Sequence, residues 1–295
     1  MEPVSLVAVG VIVAVTGYAF VRKALLSLMF GIGILAVYGL EVASAPLGFV
    51  FLSPITFELG LLALPGSIPS PYSWITFQFV HGSETHILLN LLGLILISPT
   101  FEERIGSVRW AILFFAGGAF GALIFLLVHL NEPTLLVGAS AGIFAVFGAY
   151  GRLYSRDRVT LFLPLPGIPS LAVIQVVVLF LALEMILGIV TPFGVAWEGH
   201  VGGLLFGFAA APVVMRLPLR GDRKLRLRPL AGPRDLATTP ALVELLEQAE
   251  RADLPETRDA WVEKFVAAAP CPRCGGPLKR RLRRLTSPCG WSRPL

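Results

Sequence analysis

Ser140 sits in the run Gly138-Ala139-Ser140-Ala141-Gly142, inside an apolar stretch long enough to cross a bilayer. Two other apolar stretches carry His86-Ile-Leu-Leu-Asn90 and Gly199-His200-Val-Gly-Gly203. Polar side chains deep in hydrocarbon are costly unless they are paired or wet. A serine, two histidines and an asparagine can supply a nucleophile, a base and hydrogen-bond donors for an oxyanion, which is acyl-transfer chemistry.

Each residue also has a plainer reading. A serine in a Gly/Ala-rich membrane helix often serves only close packing, although the flanking Gly138 and Gly142 leave room around its hydroxyl and backbone N–H. A membrane histidine is a functional candidate by default, but His200 could equally make a hydrogen bond between helices. His86 and Asn90 are four apart and share a helix face. They are either a packing pair or two donors directed at a tetrahedral oxyanion. No Asp at this depth has an evident link to His200, so a Ser–His dyad is expected rather than a triad. His81 reads as structural or interfacial, and His129 has no evident role.

The elements that must position these residues are membrane helices. The chain has 295 residues, is 55% hydrophobic and only 15% charged, against roughly 25% charged for a soluble domain. Its mean hydropathy is +0.77. Runs of about 20 apolar residues mark spanning helices, and seven are read: 5–21, 24–43, 84–100, 108–130, 138–153, 169–191 and 198–216. Pro54, Pro65, Pro69 and Pro71 interrupt the connection 44–83, which reads as an interfacial loop with short helices. Residues 1–21 lack the basic start and small-residue cleavage site of a signal peptide.

Charge decides orientation. Arg22 and Lys23 follow the first span, Arg104 and Arg109 the third, Arg152, Arg156 and Arg158 the fifth, and the remaining basic residues follow the seventh. The connections 44–83, 131–137 and 192–197 contain neither Lys nor Arg. Positive residues favour the cytoplasm, so the N-terminus is expected outside and the C-terminus inside. The spans at 84–100, 138–153 and 198–216 then all run inward. His86 and Asn90, Ser140, and His200 each lie in the first two turns of their span, at one depth below the outer surface. The net charge of +5 therefore reports topology and not nucleic-acid binding.

At these residues the chain resembles the rhomboid family of intramembrane serine proteases, over about residues 24–216. Gly138-Ala139-Ser140 is similar to the family's Gly-x-Ser and implies Ser140 as nucleophile. Gly199-His200-x-x-Gly203-x-x-x-Gly207 resembles its Ala-His-x-x-Gly-x-x-x-Gly and implies His200 as base. His86-x-x-x-Asn90 matches the motif that supplies oxyanion donors. Glu102-Glu103-Arg104-Ile105-Gly106 resembles Glu-x-Arg-x-Gly, a cap at the cytoplasmic ends of two helices. Phe144 matches an aromatic that stacks on the base. The Trp-Arg pair common in the family's long external loop is missing from 44–83, where Tyr72-Ser73-Trp74 comes nearest. Glu184, in span 169–191, is an unusual intramembrane carboxylate.

Residues 217–295 change character and carry charge, Pro and Arg. Thr239-Pro240 is expected to start one helix, and Asp253-Leu-Pro255-Glu256 reads as a capping box for another reaching about Ala269. Cys271-Pro-Arg-Cys274-Gly-Gly is half a zinc ribbon. The second half, Thr286-Ser-Pro-Cys289-Gly, keeps only one cysteine. Three thiolates without a tail histidine fall one short of a structural zinc site. A structural zinc on Cys271, Cys274 and Cys289, a decayed ribbon, and free thiols all stay open.

The fold expected is all-α: a polytopic membrane helix bundle with a six-helix rhomboid-like core (24–216), one extra N-terminal transmembrane helix (1–23) and a small cytosolic tail domain (217–295). The function expected is intramembrane serine endopeptidase, cleaving transmembrane segments of membrane proteins through a Ser–His dyad with no cofactor for catalysis. The alternative is a rhomboid-like pseudoprotease that binds membrane helices without cutting them. A transporter would be expected to show paired broken helices in two halves, which the sequence lacks. The expected partners are membrane-protein substrates and the lipid bilayer, at the cell membrane.

Overall fold

Seven long apolar runs call for helices, because only helices and closed barrels satisfy every backbone polar group inside a bilayer. The computed structural model describes residues 1–155, 157–159, 171–190, 196–219, 234–251, 255–281 and 284–294. It divides into two compact units, Met1–Leu219 and Arg220–Leu295.

In the first unit each run is a helix. Helix α1 spans Pro3–Arg22 and closes on Lys23, whose N–H reaches the Ala19 carbonyl. Helix α2 (Leu26–Ser44) follows at once. Gly33 of α2 leaves room for Val15 of α1, whose Cγ2 would lie 2.9 Å from an added Cβ.

The prolines break up 44–83 as expected. It holds two 3₁₀ turns (Pro46–Gly48 and Val50–Leu52), helix α3 (Pro54–Leu59), strand β1 (Leu61–Ala63), helix α4 (Ser73–Thr76) and a third 3₁₀ turn at Phe77–Phe79. Pro54 opens α3, and the Ser53 hydroxyl accepts the Ile55 N–H at 3.2 Å.

The remaining long helices are α5 (Glu84–Ile105), α6 (Ser107–Val128), α7 (Ser140–Tyr154), α8 (Val173–Val190) and α9 (Trp197–Val214). Among the described residues, α1, α2, α5 and α6 are long and apolar enough to cross a membrane. Helix α7 differs from the span expected at 138–153. It is 15 residues, roughly 22 Å at 1.5 Å per residue, and every residue from Ser140 to Tyr150 is buried. It is a central helix enclosed by the others rather than one that faces lipid. The side chain of Glu184 lies outside the described residues.

One feature is absent from the sequence reading. Strand β2 (Thr134–Leu136) pairs antiparallel with β1, setting Leu61 opposite Leu136 and Ala63 opposite Thr134. Three-residue strands are too short for a period-2 pattern to appear. A second small pair joins β3 (Arg158–Val159) to β4 (Leu171–Ala172).

The second unit contains helices α10 (Pro240–Arg251) and α11 (Pro255–Ala268) and a three-stranded sheet of β5 (Lys279–Arg281), β6 (Arg284–Thr286) and β7 (Ser292–Pro294). Both helices start at the predicted prolines, and Thr239 Oγ1 accepts the Leu242 N–H at 3.4 Å. Asp253 lies outside the described residues. Leu246, Phe265, Leu278 and Leu285 form a core belonging to this unit alone.

Candidate active site

Glycine-to-carbonyl packing sets the site. A Cβ on Gly203 of α9 would strike the Ala141 carbonyl of α7, and one on Gly207 would strike that of Ala145. From the other side, a Cβ on Gly148 of α7 would meet the Leu204 carbonyl. Helix α6 joins them, because a Cβ on Gly121 would meet the Gly199 carbonyl. Small residues let membrane helices approach backbone to backbone, and here they bring α6, α7 and α9 together.

That approach carries His200, on the first turn of α9, to Ser140, the first residue of α7. His200 Nε2 lies 2.7 Å from Ser140 Oγ. Both residues are buried. The Phe144 ring stacks on the His200 imidazole, with centroids 5.0 Å apart and planes at 22°. Ser140 opens its helix, so its N–H is among the four that a helix start leaves without intrahelical partners.

Gly138 precedes this turn with φ +112°, a backbone state that L side chains rarely adopt. Its N–H donates to the Phe77 carbonyl at 2.9 Å, so the long connection anchors the loop. A Cβ on Gly138 would collide with His86 Nε2. The His86 imidazole therefore lies against the backbone just ahead of Ser140.

Asn90 behaves differently from the expectation. Its Nδ2 donates to the His86 carbonyl at 2.8 Å, within the same helix. The two residues share a face as the spacing requires, but one amide hydrogen is engaged by backbone. His81 is fully buried rather than interfacial, with its ring 5.0 Å from that of His86.

Two polar residues near this cluster escaped the sequence reading. Glu41, on α2, is fully buried. Its carboxylate accepts the Thr56 hydroxyl at 2.9 Å and the His81 N–H at 3.1 Å. A carboxylate at the end of an apolar run was the signal that could have found it. Gln78, also fully buried, fits its side-chain amide against Gly118 of α6 and Gly142 of α7. Its place in a proline-rich loop gave no periodicity to read.

The remaining motif residues act at a distance from the dyad. Glu102 of α5 accepts the Leu26 and Ser27 N–H groups at 2.7 and 2.8 Å, capping the start of α2. Arg104 pairs with Asp157 and lies over the Tyr154 ring at 4.8 Å. His129 Nδ1 lies 3.0 Å from Glu132 Oε2, and its Nε2 is 3.8 Å from Glu198 Oε1 at the start of α9.

In the tail unit, the Sγ atoms of Cys271, Cys274 and Cys289 lie within 4.8 Å of one another. Burial works to raise the Cys271 thiol. Hydrogen bonds involving Ser287, the Arg273 and Cys274 N–H groups and the Cys274 side chain outweigh it and bring the pKa down to about 6.

The family model described as "Rhomboid domain" matches residues 69–217. RHOMBOID-like protein 4 of Arabidopsis thaliana is 31% identical over 159 residues, covering 54% of this chain and 38% of its own length. Putative rhomboid protease YdcA of Bacillus subtilis (strain 168) is 32% identical over 78 residues, 26% of this chain and 38% of its own. Inactive RHOMBOID-like protein 8 of Arabidopsis thaliana is 31% identical over 81 residues, 28% of this chain and 22% of its own. The chain thus spans less than half the length of these relatives. With several apolar helices around the matched segment, this is a multi-pass membrane protein. The match takes in half of the chain, including Ser140, His200, His86 and Asn90, and the chain belongs to the rhomboid family.

Proposed function

We propose that this protein is an intramembrane serine endopeptidase that cleaves transmembrane segments of other membrane proteins. The observation that carries the reading is the 2.7 Å separation of His200 Nε2 from Ser140 Oγ, within hydrogen-bond reach for base and nucleophile. With its own proton on Nδ1, His200 accepts the Ser140 hydroxyl proton at Nε2 as Oγ attacks the scissile carbonyl. The Ser140 N–H and the side chains of His86 and Asn90 hold the resulting oxyanion. Collapse breaks the C–N bond, and the leaving amine takes the proton from His200. Water then attacks the acyl–Ser140 ester, giving its proton to His200 and restoring the hydroxyl. Phe144 keeps the imidazole in one plane throughout.

Three features support this assignment. Gln78 carries buried side-chain polar atoms without protein partners beside Gly142 of α7, the kind of lining that holds water inside a protein. The site needs no metal or organic cofactor for these steps. The charge alternation supports an external N-terminus and a cytoplasmic C-terminus, so water and substrate would reach the dyad from the outer side.

One relative bears the name inactive, which favours testing a second reading, that of a pseudoprotease holding membrane helices without cutting. Purified protein should label at Ser140 with a fluorophosphonate and should cleave a single-span test substrate. Ser140→Ala and His200→Ala should each lose cleavage while the protein still accumulates. Substrate capture with neither labelling nor cleavage by the unaltered protein would support the pseudoprotease and defeat the protease.

A further inference from the structure

The tail thiols stand in a more specific arrangement than their sequence suggests. Two tight loops face one another. In the first, the Cys271 N–H donates to the Gly276 carbonyl at 2.8 Å, and Gly275 turns the chain at φ +70°. In the second, the Ser287 N–H donates to the Trp291 carbonyl at 3.0 Å, and Gly290 turns the chain at φ +81°. Ser287 thus occupies in the second loop the place that Cys271 occupies in the first. The second loop is one residue shorter, so the matching position is Ser287 and not Thr286, where the Cys-x-x-Cys spacing would put it.

We propose that Cys271, Cys274 and Cys289 bind one zinc ion as thiolates, with Ser287 at the fourth corner of the tetrahedron. Two of the distances fit that geometry, and sulfurs up to 4.8 Å apart would close by about 1 Å on binding. Two sulfurs, each about 2.3 Å from a tetrahedral zinc, are about 3.8 Å apart, and Cys271 Sγ lies 3.7 Å from Cys289 Sγ. A sulfur and an oxygen at about 2.3 and 2.0 Å are about 3.5 Å apart, and Cys274 Sγ lies 3.5 Å from Ser287 Oγ. A disulfide would place two sulfurs at about 2.0 Å and would leave the third thiol and Ser287 without a role.

The site also suits its surroundings. Cys271 packs with Leu278 and Leu285 in the small tail core, so a metal there ties both loops and the sheet to α10 and α11. A core this small gains much from a structural metal, because metal binding energy becomes folding energy. Cys274 and Cys289 are exposed, which leaves a path for the ion. A hydroxyl is a weaker ligand than a thiolate, so Ser287 is the weakest of the four corners.

The test uses full-length, tag-free, reduced protein in detergent, stripped with a chelator and titrated with Co²⁺ and then Zn²⁺. One equivalent of Co²⁺ should give a thiolate-to-cobalt charge-transfer band and strong visible absorption of tetrahedral type, both displaced by one equivalent of Zn²⁺. Outer contacts to a metal ligand are worth about 10–100-fold in affinity, so Cys289→Ala should weaken binding by ~100-fold or more. Ser287→Cys should tighten it by ~10-fold or more and shift the visible bands, a gain that misfolding does not imitate. Fluorophosphonate labelling of Ser140 reports separately on the membrane unit. The absence of a thiolate–cobalt band when three free thiols are titratable would overturn the proposal. Binding indifferent to Cys289→Ala, or spectra and affinity unmoved by Ser287→Cys, would overturn it as well.

Discussion

Gly138 shows how much of this site depends on a single missing methyl group. Its φ of +112° disfavours any other residue, and His86 occupies the space a Cβ would need. Gly138→Ala should strain the backbone and displace His86 together. A displacement of about 1 Å can cost about 10²-fold in rate, so cleavage should fall by at least that much, read as kcat against a test substrate. A variant with normal kcat would remove His86 and the Gly138 turn from the reaction. Asn90 poses a different question, since one of its amide hydrogens already meets the His86 carbonyl. If its second hydrogen stabilises the oxyanion, Asn90→Ala should lower kcat by about 10²–10³ with KM little changed. A change in KM alone would make it a substrate contact. Glu41 was not read from the sequence, yet it accepts from both Thr56 and the His81 backbone. Glu41→Leu leaves the buried His81 N–H without an acceptor, at roughly 1–3 kcal/mol, while the Thr56 hydroxyl keeps the Val50 carbonyl at 3.2 Å. It should lower the melting temperature in detergent, whereas Glu41→Gln, which keeps an acceptor oxygen, should lower it far less.

At the scale of elements, the contact between α7 and α9 governs the dyad. Gly207→Val would drive a side chain into the Ala145 carbonyl and separate the two helices. Ser140 labelling by a fluorophosphonate should then slow by at least about tenfold while the helical circular dichroism is retained. Gly151, on the same helix α7, has open space around it, with nothing within 4 Å of an added Cβ. Gly151→Ala should therefore leave labelling unchanged and raise stability by up to about 1 kcal/mol, the helix preference for alanine. If both substitutions behaved alike, glycine content in general, and not backbone contact at these positions, would be what matters. The sequence displayed this bare face through the spacing of Gly199, Gly203 and Gly207. Ala141, Ala145 and Gly148 on the helix that bears Ser140 pointed to that helix as its partner, whereas the approach of α6 through Gly121 left no such trace.

For the whole molecule, the distribution of positive charge makes a prediction that the packing does not. Ile68 is exposed, at 92%, in the connection that holds neither Lys nor Arg. A cysteine at that position should react with an impermeant thiol reagent on intact cells, while the three tail cysteines should react only after permeabilisation. The opposite pattern would invert the molecule and put the dyad on the cytoplasmic side. The division at Leu219 coincides with the end of the last apolar run, where composition already changes from apolar to charged.

The sequence alone determined the helices and the chain's family resemblance, and it singled out His200 and Ser140, the proposed base and nucleophile, which the fold places 2.7 Å apart. Those features are written in local terms: apolar run length, glycine spacing, and a few polar residues that hydrocarbon does not tolerate without a reason. The three-residue pairing of β1 with β2, the burial of His81, the Glu41 acceptor and the insertion of Gln78 between two glycines came only from tertiary structure. Each joins segments far apart in the chain through one or two contacts, which leave no periodic trace. The tail shows the same division. The sequence counted three cysteines and found no fourth ligand, because Thr286 stands where a Cys-x-x-Cys half would need a cysteine. Only the folded loops, one a residue shorter than the other, bring the Ser287 hydroxyl to the cysteines, because loop length and backbone hydrogen bonds, not spacing, decide which side chain faces inward.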